Sequence, residues 1–505
     1  MPPHGAAARR RWWTSAAFAW ACILLSCVPL LWPAIPPLVD LPGHIGRYHI
    51  AIDLPRSPDL QRHWDYHWAL IGNLGVDLLV YPLGKLWGVE LATKLVTLAI
   101  PALFVAGLIR LSRAATGTLS PAAALAFPLA YGIPFQFGFV NFMLAAALAL
   151  HALASWIRLA DRPVLRALIF IPVSCLLWVT HSFGWGLFGL LAFTADVMRW
   201  RSRGWWWASA RAALMCIPLS LPLIAMLTGA AGPDHSISYD WALKLVWLAA
   251  LLRERWQIYD LACATGLFFF FWVAVRNRAA FRFDPLLGAL AVVSLATYLA
   301  LPRLLLGGAY VDMRMAGIAI AIALLAVQPR PGAPDRLAPR LALIATGFFL
   351  LRTATSTAAM LLFAATQQSA LAAVAHIPRG AGVLVLVNEP CIQWHSDRLG
   401  HLDGIAVARR DAFVNGLWAL PGQQLVTPRH PQAAPYLTDP SQLVYPAPCE
   451  SRTTDFATAI RDFDRGTFNY VWTMGFAAQP RLARDVALIW SNDRSALYRV
   501  APQRR

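Results

Sequence analysis

The stretch Pro36–Asp53, PPLVDLPGHIGRYHIAID, carries two aspartates, two histidines and an arginine directly behind a membrane-length apolar run. Pro42 suits the first turn of a helix that Pro55 stops, which leaves Asp40 at the mouth of that helix. On such a helix His44, Arg47 and Ala51 share one face, and Ile45, Tyr48 and Ile52 make the adjoining apolar face. The expectation is a helix lying on the bilayer, with Asp40, His44 and Arg47 directed into a cavity above it. The plainer alternative is that Asp40 caps the helix and its neighbours are interfacial polar groups.

The preceding run, ARRRWWTSAAFAWACILLSCVPLLW from Ala8 to Trp32, has the basic start of a secretory signal, and Leu24 to Cys27 imitates a lipoprotein cleavage box. Its apolar part is longer than a signal core and many more apolar runs follow, so it reads as a retained first helix with its amino end in the cytoplasm. The rest of the chain agrees: 58% of the 505 residues are hydrophobic and only 14% are charged, which excludes an ordinary soluble enzyme. The formal net charge of +17 is largely arginine in short loops between apolar runs, the pattern of the positive-inside rule rather than of a nucleic-acid partner.

Further apolar runs lie near 91–110, 120–137, 138–157, 165–181, 183–198, 206–229, 260–276, 284–303, 312–327 and 338–360. Arginine-rich turns at Arg110/Arg113, Arg158/Arg162/Arg166, Arg199/Arg201/Arg203, Arg276/Arg278/Arg282 and Arg330/Arg336/Arg340 alternate with turns of little positive charge. The fold class is therefore an α-helical polytopic membrane protein of about eleven crossings, with the arginine turns cytoplasmic and the carboxyl end outside. This parity holds if LIGNLGVDLLVYPLGKLWGVE, with Asn73, Asp77, Lys85 and Glu90, forms an interfacial helix pair. If it spans, another short run such as 120–137 does not. Residues 1–360 make the membrane domain, with external loops at 33–90 and 230–259, and Lys244, Arg253 and Arg255 are expected on a surface helix of the second loop. Residues 361–505 read as an external α/β domain, with strands GVLVLVN and YVWTM and the hairpin VALIWSNDRSALYRV. Cys391 and Cys449 are the two cysteines of that domain and are expected to pair if it faces an oxidising compartment.

An acidic residue just after the first membrane helix, in a long external loop followed by further crossings and a carboxyl-terminal external domain, resembles the GT-C glycosyltransferases. Protein O-mannosyltransferases and lipid A aminoarabinose transferases share this plan. The resemblance implies an inverting transfer of a sugar from a polyprenyl-phosphate donor to a glycan, lipid or protein acceptor at the external face of an inner membrane. It makes Asp40 the general base and calls for a basic residue that holds the lipid phosphate. Arg303 and Arg314, in LPRLLLGGAYVDMRMAGIAIAIAL, bracket a Gly-Gly turn and offer that charge, with Arg314 the first candidate. The bland reading pairs Arg314 with Asp312, although two positions apart they point to different sides of a helix. His44 and Arg47 would orient Asp40 or touch substrate, and Asn141 and His181, which interrupt apolar runs, are further binding candidates. His63 and His67 in HWDYH have metal-ligand helical spacing, but an interfacial Trp/His cluster is the favoured reading, and a lone Asp40 resembles the metal-independent members of the family. No cofactor is expected. A flippase or transporter of lipid-linked sugar, or a noncatalytic assembly subunit, remains the alternative.

Overall fold

The computed structural model describes residues 11–228, 236–305, 308–388, 394–419, 424–433, 443–444 and 455–502. Cys391 and Cys449 lie outside them, as does Gly307 of the Gly-Gly turn. The chain is a polytopic α-helical membrane protein with a carboxyl-terminal α/β domain. Among the described residues five helices are long and apolar enough to cross a membrane: Val89–Thr116, Val140–Arg158, Pro163–Thr180, Gln257–Arg276 and the one that begins at Leu337. Shorter apolar segments at Ala16–Leu30, Ala123–Phe137, Pro285–Ala300 and Met313–Ala326 lie among them.

Small residues let these helices approach one another. A Cβ on Gly107 would meet the Leu150 Cβ at 2.8 Å, so the Val89 and Val140 helices pack with almost no side chain between them at that point. Gly184 does the same against Ala145, where a Cβ would sit 2.3 Å from the alanine's own. Several buried charges are matched: Arg166 grips Asp196 with two bonds of 3.0 and 2.9 Å, and Arg352 reaches Asp260 at 2.8 Å and Glu254 at 3.4 Å. Such pairs offset the cost of taking either charge out of water.

Several expected elements differ in form. The 120–137 run is not one helix but the short turns Ala123–Leu125 and Phe127–Tyr131 and the helix Ile133–Phe137, because Pro128 and Pro134 each start a new turn and Gly132 separates them. The 206–229 run divides into Trp205–Cys216 and Pro222–Thr228 around Pro218 for the same reason. The Gly75–Trp87 helix has 13 residues, about 20 Å, well short of the roughly 30 Å hydrocarbon core. The surface helix expected to carry Lys244, Arg253 and Arg255 stops at Ala249, and Lys244 is buried inside, bonded to the Tyr298 and Leu301 carbonyls and to Asp312.

The last long helix, Leu337–Leu371, runs 35 residues, about 50 Å, and so outlasts the change in composition near residue 361. No glycine or proline interrupts it after Gly347, and the buried Gln367 donates to the Arg398 carbonyl of the carboxyl-terminal domain. That domain is built on a mixed sheet. Gly382–Asn388 lies parallel to Tyr470–Met474 and to Phe413–Val414, and Ser495–Val500 pairs antiparallel with Tyr470–Met474 and with Val486–Ser491. These are the strands that period-2 patterning indicates, and Asn492 closes the hairpin by accepting from the Arg494 and Ser495 amides.

The helix after the first crossing, Leu41–Asp53, matches the Pro42-to-Pro55 expectation in extent but not in setting. Ile45 and Ile50 are fully buried and Tyr48 nearly so, and the helix does not present an apolar face to a bilayer. The Gly404–Arg410 helix of the carboxyl-terminal domain packs across it. Gly43 and Gly46 supply the flat surface this requires: a Cβ on Gly46 would sit 2.8 Å from the Gly404 carbonyl oxygen, and one on Gly404 would sit 2.1 Å from that of Pro42.

Candidate active site at the domain junction

Asp40 sits in the N-cap position of the Leu41 helix, yet its side chain accepts no capping hydrogen bond. Its backbone is fixed instead, by donation from its own amide to the Phe137 carbonyl at 2.9 Å and from the His44 amide to its carbonyl at 3.1 Å. Gly138, at φ +91°, brings this segment close: a Cβ there would lie 2.9 Å from the Asp40 nitrogen. The capping alternative therefore fails, and the carboxyl group is held in place without its oxygens being consumed. With 15% of the side chain exposed, burial pushes Asp40 up to about 8, against the lowering effect of the nearby Arg314 charge.

Arg314, near the start of the Met313–Ala326 helix, lacks the carboxylate partner that Arg47, Arg166 and Arg352 possess. Asp312 does not neutralise it, because one Asp312 oxygen caps Met313 at 2.8 Å and the other accepts from Lys244 at 3.1 Å. The guanidinium lies 4.7 Å from the Phe139 ring centre, donates to the Ala309 carbonyl at 3.2 Å and keeps a buried Nε with no hydrogen-bond partner. Its Nη1 faces His181 Nε2 at 3.1 Å, while His181 Nδ1 accepts from the Phe183 amide at 3.1 Å. A neutral imidazole has one lone pair, so His181 accepts from the Phe183 amide in one tautomer and from Arg314 in the other. The spare, buried Nε of Arg314 makes a place for an anionic oxygen. A small apolar recess opens beside Arg314, lined by Phe104, Leu129, Met143, Trp247 and Ile318 among others.

Other residues singled out from sequence lie around this centre in different roles. His44 is buried beside Asp40, with burial and the charges of Arg47 and His401 holding it well below its ordinary range. Arg47 and Asn141 belong to a separate network on Asp77: Arg47 pairs with it at 2.8 Å and also bonds Gln424, and Asn141 donates to it at 3.1 Å. Asn141 further accepts from the Val76 amide at 2.6 Å and donates to the Asn73 carbonyl at 2.8 Å, tying down the start of the Gly75 helix. Arg303 stands on the rim, 4.0 Å from Asp240 and stacked over Tyr310, whose ring meets Phe137. His63 and His67 do not share a helix: the chain turns into a strand at Trp64 that pairs with Val426–Pro428, and His63 bonds His430 at 2.8 Å.

The carboxyl-terminal domain supplies neighbours that no local motif announces. His401 Nε2 lies 3.9 Å from Asp40 Oδ1, and the His401 ring is 4.1 Å from that of Trp418, which also covers His44 at 5.3 Å. These residues are more than 350 positions from Asp40 in the chain and reach it only because Gly404 docks on Gly46.

No protein-family model and no curated protein matches the sequence. Among solved structures, that of ArnT from Cupriavidus metallidurans bound to undecaprenyl phosphate is similar over 96% of this chain and 98% of that one, at 12% sequence identity and a TM-score of 0.49.

Proposed function

We propose that the chain is an inverting membrane glycosyltransferase that moves a sugar from a polyprenyl-phosphate donor to an acceptor on the external, periplasmic side of an inner membrane. The observation that carries this reading is the junction of Asp40 and Arg314. A carboxyl group that makes no capping bond and a guanidinium whose Nε has no partner act on each other, and the guanidinium lines an apolar recess. A polyprenyl phosphate needs both halves of that surroundings, an apolar groove for its tail and a cation for its phosphate.

In this reading Asp40 takes the proton of the acceptor hydroxyl as that oxygen attacks the anomeric carbon from the face opposite the phosphate. The bond from the anomeric carbon to the phosphate oxygen breaks, and its electron pair leaves with the lipid phosphate. Charge grows on that phosphate as the bond opens, where Arg314 donates to it. Burial of Asp40 suits a base, since a carboxylate with raised proton affinity drives proton transfer better than a solvated one. Arg47, with its charge spent on Asp77, holds the Leu41 helix rather than the substrate.

The test is incubation of purified protein with a panel of radiolabelled polyprenyl-phosphate sugars and membrane extract. The reading expects label to move into an acceptor fraction. Label that crosses between leaflets of acceptor-free vesicles, with none transferred, would support a flippase instead.

A further inference from the structure

The sequence RWRSRGWWW, Arg199–Trp207, joins the Ser182–Trp200 helix to the Trp205–Cys216 helix through the tight turn Arg201–Arg203 and Gly204. Gly204, at φ +98°, reverses the chain, and the two helices pack side by side. Trp207 and Arg211, four positions apart, share one face of the second helix and meet Trp200 at the end of the first. The Trp200 and Trp207 rings stand edge to face with 5.7 Å between centres. Three guanidiniums gather on these two rings. Arg211 lies 4.6 Å from the Trp200 centre and 5.5 Å from that of Trp207, Arg203 lies 5.3 and 5.1 Å from the same two centres, and Arg199 lies 5.3 Å from Trp200.

Like charges brought this close repel, and the ring faces offset only part of that. Asp161 neutralises Arg199. Neither Arg203 nor Arg211 forms an ion pair with a carboxylate among the described residues, and the Arg211 Nε is buried without a hydrogen-bond partner. We propose that Arg203 and Arg211, over Trp200 and Trp207, form a binding site for the phosphate of an anionic phospholipid in the leaflet that this turn faces. The site is separate from the Asp40–Arg314 centre and does not depend on sugar transfer.

Phosphate answers to the cluster because its several oxygens can be reached by two planar forks at once. The surroundings make it a lipid phosphate. Trp205 and Trp206 are 62% and 92% exposed beside the turn, and indoles of a membrane protein settle at the headgroup level. Leu214, one helical turn deeper than Arg211, is also exposed and offers a surface along which an acyl chain can run. Three arginines against one aspartate leave the cluster positive, so a headgroup of net negative charge fits it better than a zwitterionic one, whose own cation would face the arginines.

The experiment uses the full chain purified in detergent and stripped of lipid, with phosphatidylglycerol or phosphatidylcholine added and the bound lipid counted by native mass spectrometry. Wild type should hold phosphatidylglycerol about tenfold or more tighter than phosphatidylcholine. Arg203→Gln combined with Arg211→Gln should weaken phosphatidylglycerol by about 10- to 30-fold and leave phosphatidylcholine unchanged. Lysine at both positions keeps the charge but not the fork and should recover only part of that loss. Arg201, in the same turn, bonds the Met198 carbonyl and stacks on neither ring among the described residues. Arg201→Gln should therefore cost less than about threefold. A loss in Arg201→Gln as large as that in Arg211→Gln reduces the effect to diffuse surface charge and overturns the site, as does equal affinity of wild type for the two lipids. Inorganic phosphate at the lipid's concentration should not displace phosphatidylglycerol; displacement overturns the lipid as occupant in favour of a free ion.

Discussion

Replacing Asp40 by asparagine is expected to remove turnover and at the same time stabilise the protein, by an amount that depends on pH. The side chain accepts no capping bond, so asparagine loses no contact that the aspartate makes with the helix. It does remove a carboxyl group whose proton affinity is raised from 3.8 to about 8 by burial. A raised carboxyl pKa means that, between those two values, the folded state binds more protons than the unfolded one. Stability therefore falls as pH rises from 3.8 toward 8, and the full cost applies above 8. At about 1.36 kcal/mol per unit, the upper bound is near 6 kcal/mol above pH 8 and about 2 kcal/mol at pH 5.5. Solvent contact and relaxation reduce both, so Asp40→Asn should gain about 1–2 kcal/mol more over wild type at pH 9 than at pH 5.5. Thermal or denaturant unfolding of the two proteins in one detergent at both pH values measures this. A gain that is equal at the two pH values, or a destabilised variant at pH 9, would refute the claim that Asp40 is a buried, uncommitted acid.

Arg314→Ala should weaken binding of a polyprenyl phosphate by about 2–5 kcal/mol, read by isothermal titration or competition, because the contact is desolvated and the arginine forms no ion pair with a carboxylate among the described residues. Arg47→Ala should instead destabilise the fold by about 3–5 kcal/mol, leaving Asp77 buried without its partner, while donor affinity per folded molecule stays the same. Gly46→Val should separate the Leu41 helix from Gly404 and lower kcat, with limited proteolysis of the carboxyl-terminal domain reporting the loss of docking. Reporter fusions after residue 114 and within 200–204 should read as cytoplasmic, and those after residue 380 as external; external signal at the first pair would refute the topology.

The architecture was legible because its signals are long-range in length and simple in kind. Apolar runs bounded by arginine turns give helices, and alternation in GVLVLVN and YVWTM gives strands, so Val140–Arg158, Pro163–Thr180 and the Gly382–Asn388 strand appear where patterning puts them. Breaks inside an apolar run, at Pro128 and Pro134, are also written in the residues but are easily outweighed by hydropathy. For the site, the positions of Asp40 and Arg314 beside apolar runs can be read locally. Their meeting with His181 and His401 cannot, since it depends on how four distant segments pack. Arg47 and Asn141 look alike from sequence, as polar groups among apolar ones, and only the Asp77 network separates them from Arg314. The one clue to the domain junction was the pair Gly43 and Gly46, a flat face on a helix assigned to the bilayer surface that the carboxyl-terminal domain covers instead.

The most direct test of the central claim is sugar transfer by Asp40→Asn and wild type, measured in parallel with donor binding on the same folded preparations. Asparagine keeps the shape of the side chain but cannot accept a proton, so turnover should fall by about 100-fold or more while donor affinity stays within about twofold. Full transfer by Asp40→Asn would contradict the account, because Asp40 is the carboxylate whose charge acts on Arg314 among the described residues.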